Sequence, residues 1–124
     1  MKTKILFIVV GVFILATCSS SAVDDCEKSN VGVRYVIVGN QVDIVSVTQS
    51  SDTGGMELGD FALPYCRIMS GFEKGDSLYI SVQIPGDSGS VTCKIYDEDR
   101  LVAQSTARAR EGNLAAIATC SSTK

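Results

Sequence analysis

The 124-residue chain contains no histidine and has no excess of basic side chains. Histidine is the usual general base at neutral pH and the commonest zinc ligand. We therefore predict that the protein is not an enzyme and carries no metal or cofactor. Eleven basic against fourteen acidic side chains give a formal net charge of -3, and the basic residues form no cluster. This balance argues against nucleic acid as a partner.

The apolar run at residues 5–17 is too short to span a membrane as a helix. At 1.5 Å per residue it would cover about 20 Å, whereas the hydrocarbon layer is roughly 30 Å thick. Lys2 and Lys4 precede the run, and small residues follow it. A basic start, an apolar middle and a small-residue exit predict an export signal peptide over residues 1–17.

Cys18 follows the predicted signal peptide directly and is the odd one of five cysteines. This position predicts that Cys18 is the lipid-bearing first residue of a bacterial lipoprotein, with residues 18–30 as its tether. The protein would then lie in the cell envelope, anchored to a membrane by its N-terminal lipid and facing the periplasm or the exterior. The alternative is cleavage after Ala22 by an ordinary signal peptidase, which would remove Cys18 with the signal.

The residues beyond the predicted signal are enough for one compact domain and too few for two. From residue 31 onward, apolar side chains alternate with polar ones between turn signals, as half-buried strands require. In residues 77–84, for example, Leu78, Ile80 and Val82 alternate with polar or smaller side chains. The pattern predicts about seven strands among the segments 31–39, 42–50, 59–65, 66–72, 76–85, 89–97, 100–108 and 113–121.

This series of short strands and turns predicts an all-β fold over residues 31–124. The expected architecture is an antiparallel β-sandwich of immunoglobulin-like size. A true immunoglobulin domain is not expected, because the chain contains no tryptophan and such domains bury one in their core.

Four cysteines lie beyond the predicted lipidation site. An even set of cysteines in an exported domain of this size predicts two disulfides, each contributing about 2 to 4 kcal/mol to stability. A tetrathiolate zinc site is the alternative, but zinc ligands usually come in pairs two to four residues apart. The spacings here are far wider, because the four residues are Cys26, Cys66, Cys93 and Cys120.

Residues 33–120 resemble the MmpS family of small membrane proteins. The resemblance depends on an opening strand, a Leu-Pro motif in mid-domain, a Gly-Asp-Ser-Leu turn, and a cysteine-containing strand followed by a hairpin and a second cysteine. In this chain these features are residues 33–39, Leu63-Pro64-Tyr65, residues 75–78, residues 91–95 with 97–102, and Ala118-Thr119-Cys120. Differences from the family pattern are Tyr65 in place of its tryptophan, acidic residues at 97–99 in its glycine turn, the added Cys26 and Cys66, and the absence of its usual transmembrane anchor.

The resemblance implies an all-β envelope domain that accompanies a resistance-nodulation-division (RND) transporter of the MmpL type and aids the export of lipids or siderophores. It also implies a disulfide between Cys93 and Cys120, expected in neighbouring strands at one sheet edge, and leaves Cys26 to pair with Cys66.

Three side chains are candidate partner contacts. Tyr65 is interpreted either as a packed core ring with its hydroxyl satisfied or as an exposed anchor for a partner. Arg108 and Arg110 lie on one side of a predicted strand, where they would either clamp an anionic head group or carboxylate, or form a solvated edge.

Two other motifs are interpreted as turns. The segment 86–90, Gly-Asp-Ser-Gly-Ser, is similar to a serine protease nucleophile loop, but that chemistry needs an imidazole, which the chain lacks. The acidic residues 97–99 have the oxygen ligands that calcium prefers, but consecutive side chains of an extended segment point to alternate sides and cannot converge.

The sequence therefore predicts an envelope lipoprotein that acts by protein docking as a transport accessory. The alternatives are a small-ligand binding module, which requires a concave and mostly apolar pocket, and a structural or adhesive envelope protein, which requires none.

Overall fold

A computed structural model of the chain describes residue 26 and residues 28–112 and 115–124. The predicted signal peptide at 1–17, the predicted lipidation of Cys18 and most of the predicted tether lie outside these residues. The described part contains eight β-strands: β1 (Val33–Asn40), β2 (Ile44–Ser50), β3 (Met56–Ala62), β4 (Tyr65–Met69), β5 (Ser77–Ile84), β6 (Ser90–Asp97), β7 (Arg100–Arg108) and β8 (Ala116–Thr123).

The strands form two four-stranded antiparallel sheets. The first sheet has the order β4-β1-β6-β7, and the second has the order β3-β2-β5-β8. Side chains from both sheets build one apolar core between them. The predicted all-β, antiparallel sandwich fold is confirmed.

The inward faces of the strands carry the alternation that the sequence predicts. On β5, Leu78, Ile80, Val82 and Ile84 are all buried, and the intervening side chains are polar or only partly buried. Burying a Leu, Ile or Val side chain stabilises a fold by about 1.5 to 3 kcal/mol. The facing sheet supplies the other wall through β1 and β6 with Val33, Tyr35, Ile37, Val91, Cys93 and Ile95.

Strand β1 departs from the alternation, since Arg34 and Val36 are buried although they lie on its outer face. Their exposed fractions are 2% and 0%. A half-buried strand of a sandwich normally has a solvated outer face. This face is covered instead, and the residues that contact it, among them Cys26 and Tyr96, are described with the site below.

The change of sheet between β3 and β4 occurs at Leu63-Pro64, which are joined by a cis peptide bond. Proline cannot donate a ladder hydrogen bond, so it lies between strands and not within one. The predicted strand 59–65 is therefore displaced: β3 begins at Met56 and ends at Ala62. The predicted strand 113–121 is also displaced, because β8 occupies Ala116–Thr123.

Candidate functional site

The disulfide between Cys93 and Cys120 joins the two sheets through the core. Its cysteines are 0% and 2% exposed, and their Cα atoms are 6.3 Å apart. The pairing is the one that the family resemblance implied, but the expected position in neighbouring strands of one sheet edge is wrong. Cys93 lies in β6 of the first sheet, whereas Cys120 lies in β8, which pairs with β5 in the second sheet. After the β6–β7 hairpin the chain crosses to the other sheet, so the two cysteines face each other across the core.

The second disulfide fastens the N-terminal segment to the outside of the first sheet. Cys26 is bonded to Cys66, with their Cα atoms 6.2 Å apart. Cys66 lies on β4 directly opposite Val36 on β1. Since Val33, Tyr35 and Ile37 face the core, Val36 and Cys66 belong to the outer face. The disulfide thus places Cys26 beside the part of β1 that is unexpectedly buried.

Arg34 connects this N-terminal segment to the β6–β7 turn. Its guanidinium donates to the carbonyl oxygens of Cys26, at 3.5 Å, and of Glu98. The same group lies 4.5 Å from the centre of the Tyr96 ring, within the range of a cation–π interaction. The sequence analysis did not single out Arg34. The available signal was a lone charged residue within an apolar strand, which requires a partner wherever the strand is covered.

Tyr65 has the geometry of a packed ring. It lies on β4, its ring centre is 4.7 Å from that of Phe61 on β3, and its hydroxyl is 3.0 Å from Nε2 of Gln49 on β2. Gln49 is 1% exposed, so this hydrogen bond satisfies a buried amide. Tyr65 therefore helps to close one side of the sandwich between the two sheets.

An ion pair reinforces the same side of the sandwich. Arg67 on β4 forms a two-point contact with the carboxylate of Glu57 on β3. This hydrogen bonding with Glu57 is the main reason that the pKa of Arg67 is raised. Both side chains are more than a third exposed, so the ion pair contributes little to stability. It helps to position β3 against β4.

Arg108 and Arg110 lie at the opposite edge of the first sheet from Tyr65. Arg108 ends β7 opposite Ser90, and Arg110 follows the strand; both are exposed, with the buried Ala109 between them. Arg108 lines an open cleft of about 290 Å³ that also contains the carboxylate-bearing Asp87. The structure thus does not bring Tyr65 and the two arginines together into one site.

The two motifs interpreted as turns are turns. Residues 86–89 connect β5 to β6, and residues 98 and 99 connect β6 to β7. Asp97 at the end of β6 forms an ion pair of 3.0 Å with Lys124. Over the described ranges 26, 28–112 and 115–124, no group of three His, Cys, Asp or Glu residues is arranged to hold a metal ion.

The clefts found on the surface of the described residues are open to solvent. One of about 340 Å³ lies between the β2–β3 turn and the start of β5, and one of about 270 Å³ lies near Ile44 and Pro85 at the other end of the second sheet. A third, beside Asp97 and Arg100, is lined by charged side chains. Small-ligand sites are usually concave and enclose most of their ligand, which these clefts are not shaped to do.

Exposed large apolar side chains of the described residues occur on both sheets, with Ile68 and Leu101 on the first and four on the second. Leu58 and Met56 on β3 are 78% and 52% exposed, and Ile44 on the neighbouring β2 is 56% exposed. Leu58 is the most exposed large apolar side chain in the part of the chain that the structure describes. The sequence analysis missed this surface because its predicted strand began at residue 59, so that Met56 and Leu58 lay outside every predicted strand.

No family model and no curated protein matches this chain. The resemblance to the MmpS family therefore remains a prediction from the motifs quoted above. Within the residues that the structure covers, no helix has the length and apolar character needed to cross a membrane.

We expect joint replacement of Cys26 and Cys66 by serine to loosen β4 without unfolding the domain. Strand β4 has five residues, and β1 is its only strand neighbour among the described residues, so the disulfide supplies much of its restraint. Backbone hydrogen exchange in residues 65–69 should accelerate by about tenfold or more, which corresponds to about 1.4 kcal/mol of local stability. Exchange in β5 and β8, which follows global unfolding, serves as the internal reference and should remain slower than exchange in β4. Unaltered exchange in β4 would show that the disulfide does not restrain it.

Proposed function

We propose that the protein is an envelope lipoprotein that acts by docking to another protein, as an accessory of an RND transporter of the MmpL type. The motif resemblance over residues 33–120 supports the transporter class. Two disulfides in a domain of this size support an oxidising compartment outside the cytoplasm. The position of Cys18 after an export-like segment supports lipid anchorage.

The observation that carries the proposal is the Cys26–Cys66 disulfide. It fastens the N-terminal arm to the outer face of the first sheet, only eight residues after Cys18. Eight extended residues reach about 26 to 29 Å. A lipid on Cys18 would therefore hold the domain within one domain diameter of the membrane, where the exported face of a transporter lies.

Docking accounts for the surface better than ligand binding does. The clefts are open, whereas the exposed apolar side chains Met56 and Leu58 lie next to each other on the outer face of β3. Clustered exposed apolar side chains are typical of protein interaction sites.

Purification of the tagged full-length protein from membranes of its native host tests the proposal. We expect the N-terminal peptide to begin at Cys18 and to carry acyl chains, and an RND transporter to co-purify in mild detergent. The Cys18→Ser variant should leave the membrane fraction and lose the transporter, because the lipid is the proposed anchor. Ser19→Ala is the matched control, since it changes the neighbouring position and keeps the acylated cysteine.

Two results would contradict the proposal separately. A mature N-terminus at Val23 without acylation would remove the lipoprotein assignment. A lipidated protein that recovers no RND transporter after cross-linking would remove the transport role.

A further inference from the structure

Strand β3 is an edge strand whose outward backbone groups can be identified from the hairpin hydrogen bonds. At one end of the β2–β3 pair, the N–H of Ser51 donates a hydrogen bond to the carbonyl oxygen of Gly55 at 2.8 Å. At the other end, the N–H of Leu63 donates to the carbonyl oxygen of Asp43, also at 2.8 Å. Bonded and non-bonded residue pairs alternate along an antiparallel ladder. In the observed register, the odd-numbered residues of β3 are therefore the ones bonded to β2.

The even-numbered residues of β3 consequently direct their N–H and C=O groups away from β2. No strand of the described chain lies on that side, since β3 ends the order of the second sheet. Such a row of donors and acceptors is a template for one more strand. The row is formed by Met56, Leu58, Asp60 and Ala62.

The side chains of these same four residues are exposed. Leu58 and Met56 supply an apolar surface beside the free backbone groups, and Asp60 supplies a carboxylate. Natural edge strands are usually protected by lysine, proline or a bulge. Strand β3 contains no basic residue and no proline.

The other three sheet edges have features that discourage an added strand. Strand β4 is short and carries the Cys66 disulfide with the N-terminal segment over it. Strand β7 begins and ends with Arg100 and Arg108, and its ladder with β6 has a register shift. Strand β8 contacts β7 of the facing sheet and ends beside the ion-paired Lys124.

Strand β3 is also held in place from its inner side. Glu57 is bound by Arg67, and Phe61 stacks on Tyr65, so both contacts join β3 to β4 of the first sheet. A strand fixed in this way offers its edge without the entropic cost of ordering it first.

We propose that β3 binds an extended, basic segment of a partner protein, which adds a fifth strand to the second sheet. Backbone hydrogen bonds give affinity in this mode of binding, and alternate side chains give specificity. The segment would place apolar side chains next to Met56 and Leu58 and a lysine or arginine next to Asp60. This inference deepens the proposed docking function and rests on it for the existence of a protein partner.

Charge argues for a different protein as the occupant rather than a second copy of this chain. Asp60 is the exposed charged residue of β3, since Glu57 is paired with Arg67 on the inner side, and the chain has a formal net charge of -3. A second copy would bring the same acidic strand to this edge, and like charges across a strand pair are destabilising. A basic segment would be attracted to the same position.

A synthetic nine-residue peptide of alternating valine and threonine, with one central lysine in place of a valine, is the probe. Titrated into the oxidised domain, it should shift the amide resonances of Met56, Leu58 and Asp60 saturably and slow their hydrogen exchange. A control peptide with N-methyl groups on alternate residues lacks the required donors and should not bind.

Two variants test the side-chain part of the inference. Leu58→Lys should weaken peptide binding by about tenfold or more, whereas Leu101→Lys on β7 makes the same change at another exposed leucine and should leave binding unchanged. Asp60→Lys should prefer a peptide in which glutamate replaces the lysine. Unchanged circular dichroism establishes that each variant is folded.

Three outcomes would overturn the inference while leaving the proposed transporter association testable on its own. The first is an absence of peptide-induced change at β3. The second is equal weakening by the two leucine variants. The third is a dimer in sedimentation that Leu58→Lys dissociates, since the occupant of the edge would then be a second copy.

Discussion

Joint replacement of Cys93 and Cys120 by alanine is expected to lower the free energy of unfolding by at least about 3.5 kcal/mol. The bond closes a loop with a sequence separation of 27. The loop-entropy model gives about 3.5 kcal/mol for a closure of this length at 25 °C. Both sulfur atoms lie in the core, so their removal also leaves a space between the sheets. Urea unfolding followed by circular dichroism measures the loss.

The pair Cys26 and Cys66 provides the matched control. Its loop has a sequence separation of 40, for which the same model gives about 3.9 kcal/mol, but it lies on the outer face and fills no core position. We expect the Cys93/Cys120 variant to lose at least as much stability as the Cys26/Cys66 variant despite its shorter loop. A loss below about 2 kcal/mol for the core pair would show that packing between the sheets holds them together without the bond.

Tyr35→Phe should destabilise the domain by about 1 to 3 kcal/mol, because it opens a buried hydrogen-bond network between the sheets. The Tyr35 hydroxyl lies 2.6 Å from Oγ of Ser50, and it also accepts from the N–H of Tyr79 at 3.2 Å. Tyr79→Phe is the control, since the network uses the backbone N–H of Tyr79 and not its side chain. Equal stability of wild type and Tyr35→Phe would contradict the expected role of this network.

The same residue should make the fold sensitive to alkaline pH. Burial raises the pKa of Tyr35 above its ordinary value of 10.0, although its hydrogen bonds to Ser50 and Tyr79 act in the opposite direction. The folded state thus favours the neutral phenol more than the unfolded state does. This contribution to stability is fully present below pH 10.0 and is lost as the pH rises through the folded-state pKa. The urea midpoint should fall in that range for the wild type and fall less for Tyr35→Phe.

The sequence was a sufficient guide to the sheets wherever one face of a strand meets the core and the other meets water. Strand β5 satisfies that condition, so its alternation predicted both its boundaries and its buried side chains. Strand β1 does not, because Cys26, which is bonded to Cys66 forty residues away in sequence, lies against its outer face and accepts a hydrogen bond from Arg34. The alternation in residues 33–38 places Arg34 on the solvated face, and only the lone charge within an apolar strand indicates that it needs a partner.

The candidate site was less predictable for the same physical reason. Which strand pairs with which depends on contacts between residues distant in sequence, and the alternation of side chains does not report them. The placement of Cys120 in the facing sheet is one example. Another is the free edge of β3. It depends on the place of β3 at the end of a sheet and on the register with β2, which directs the backbone N–H and C=O groups of Leu58 away from β2.

The attachment of the N-terminal arm at Cys66 determines how the domain responds to a pulling force. A force that pulls on the N-terminal residues acts on β4 through the Cys26–Cys66 bond and not on β1 through Val31 and Gly32. Strand β4 is hydrogen-bonded to β1 along its length. Strand β1 in turn is bonded to β6, and β6 is joined covalently to β8. The load is therefore spread over both layers of the protein, and the first strand is not peeled away from its end.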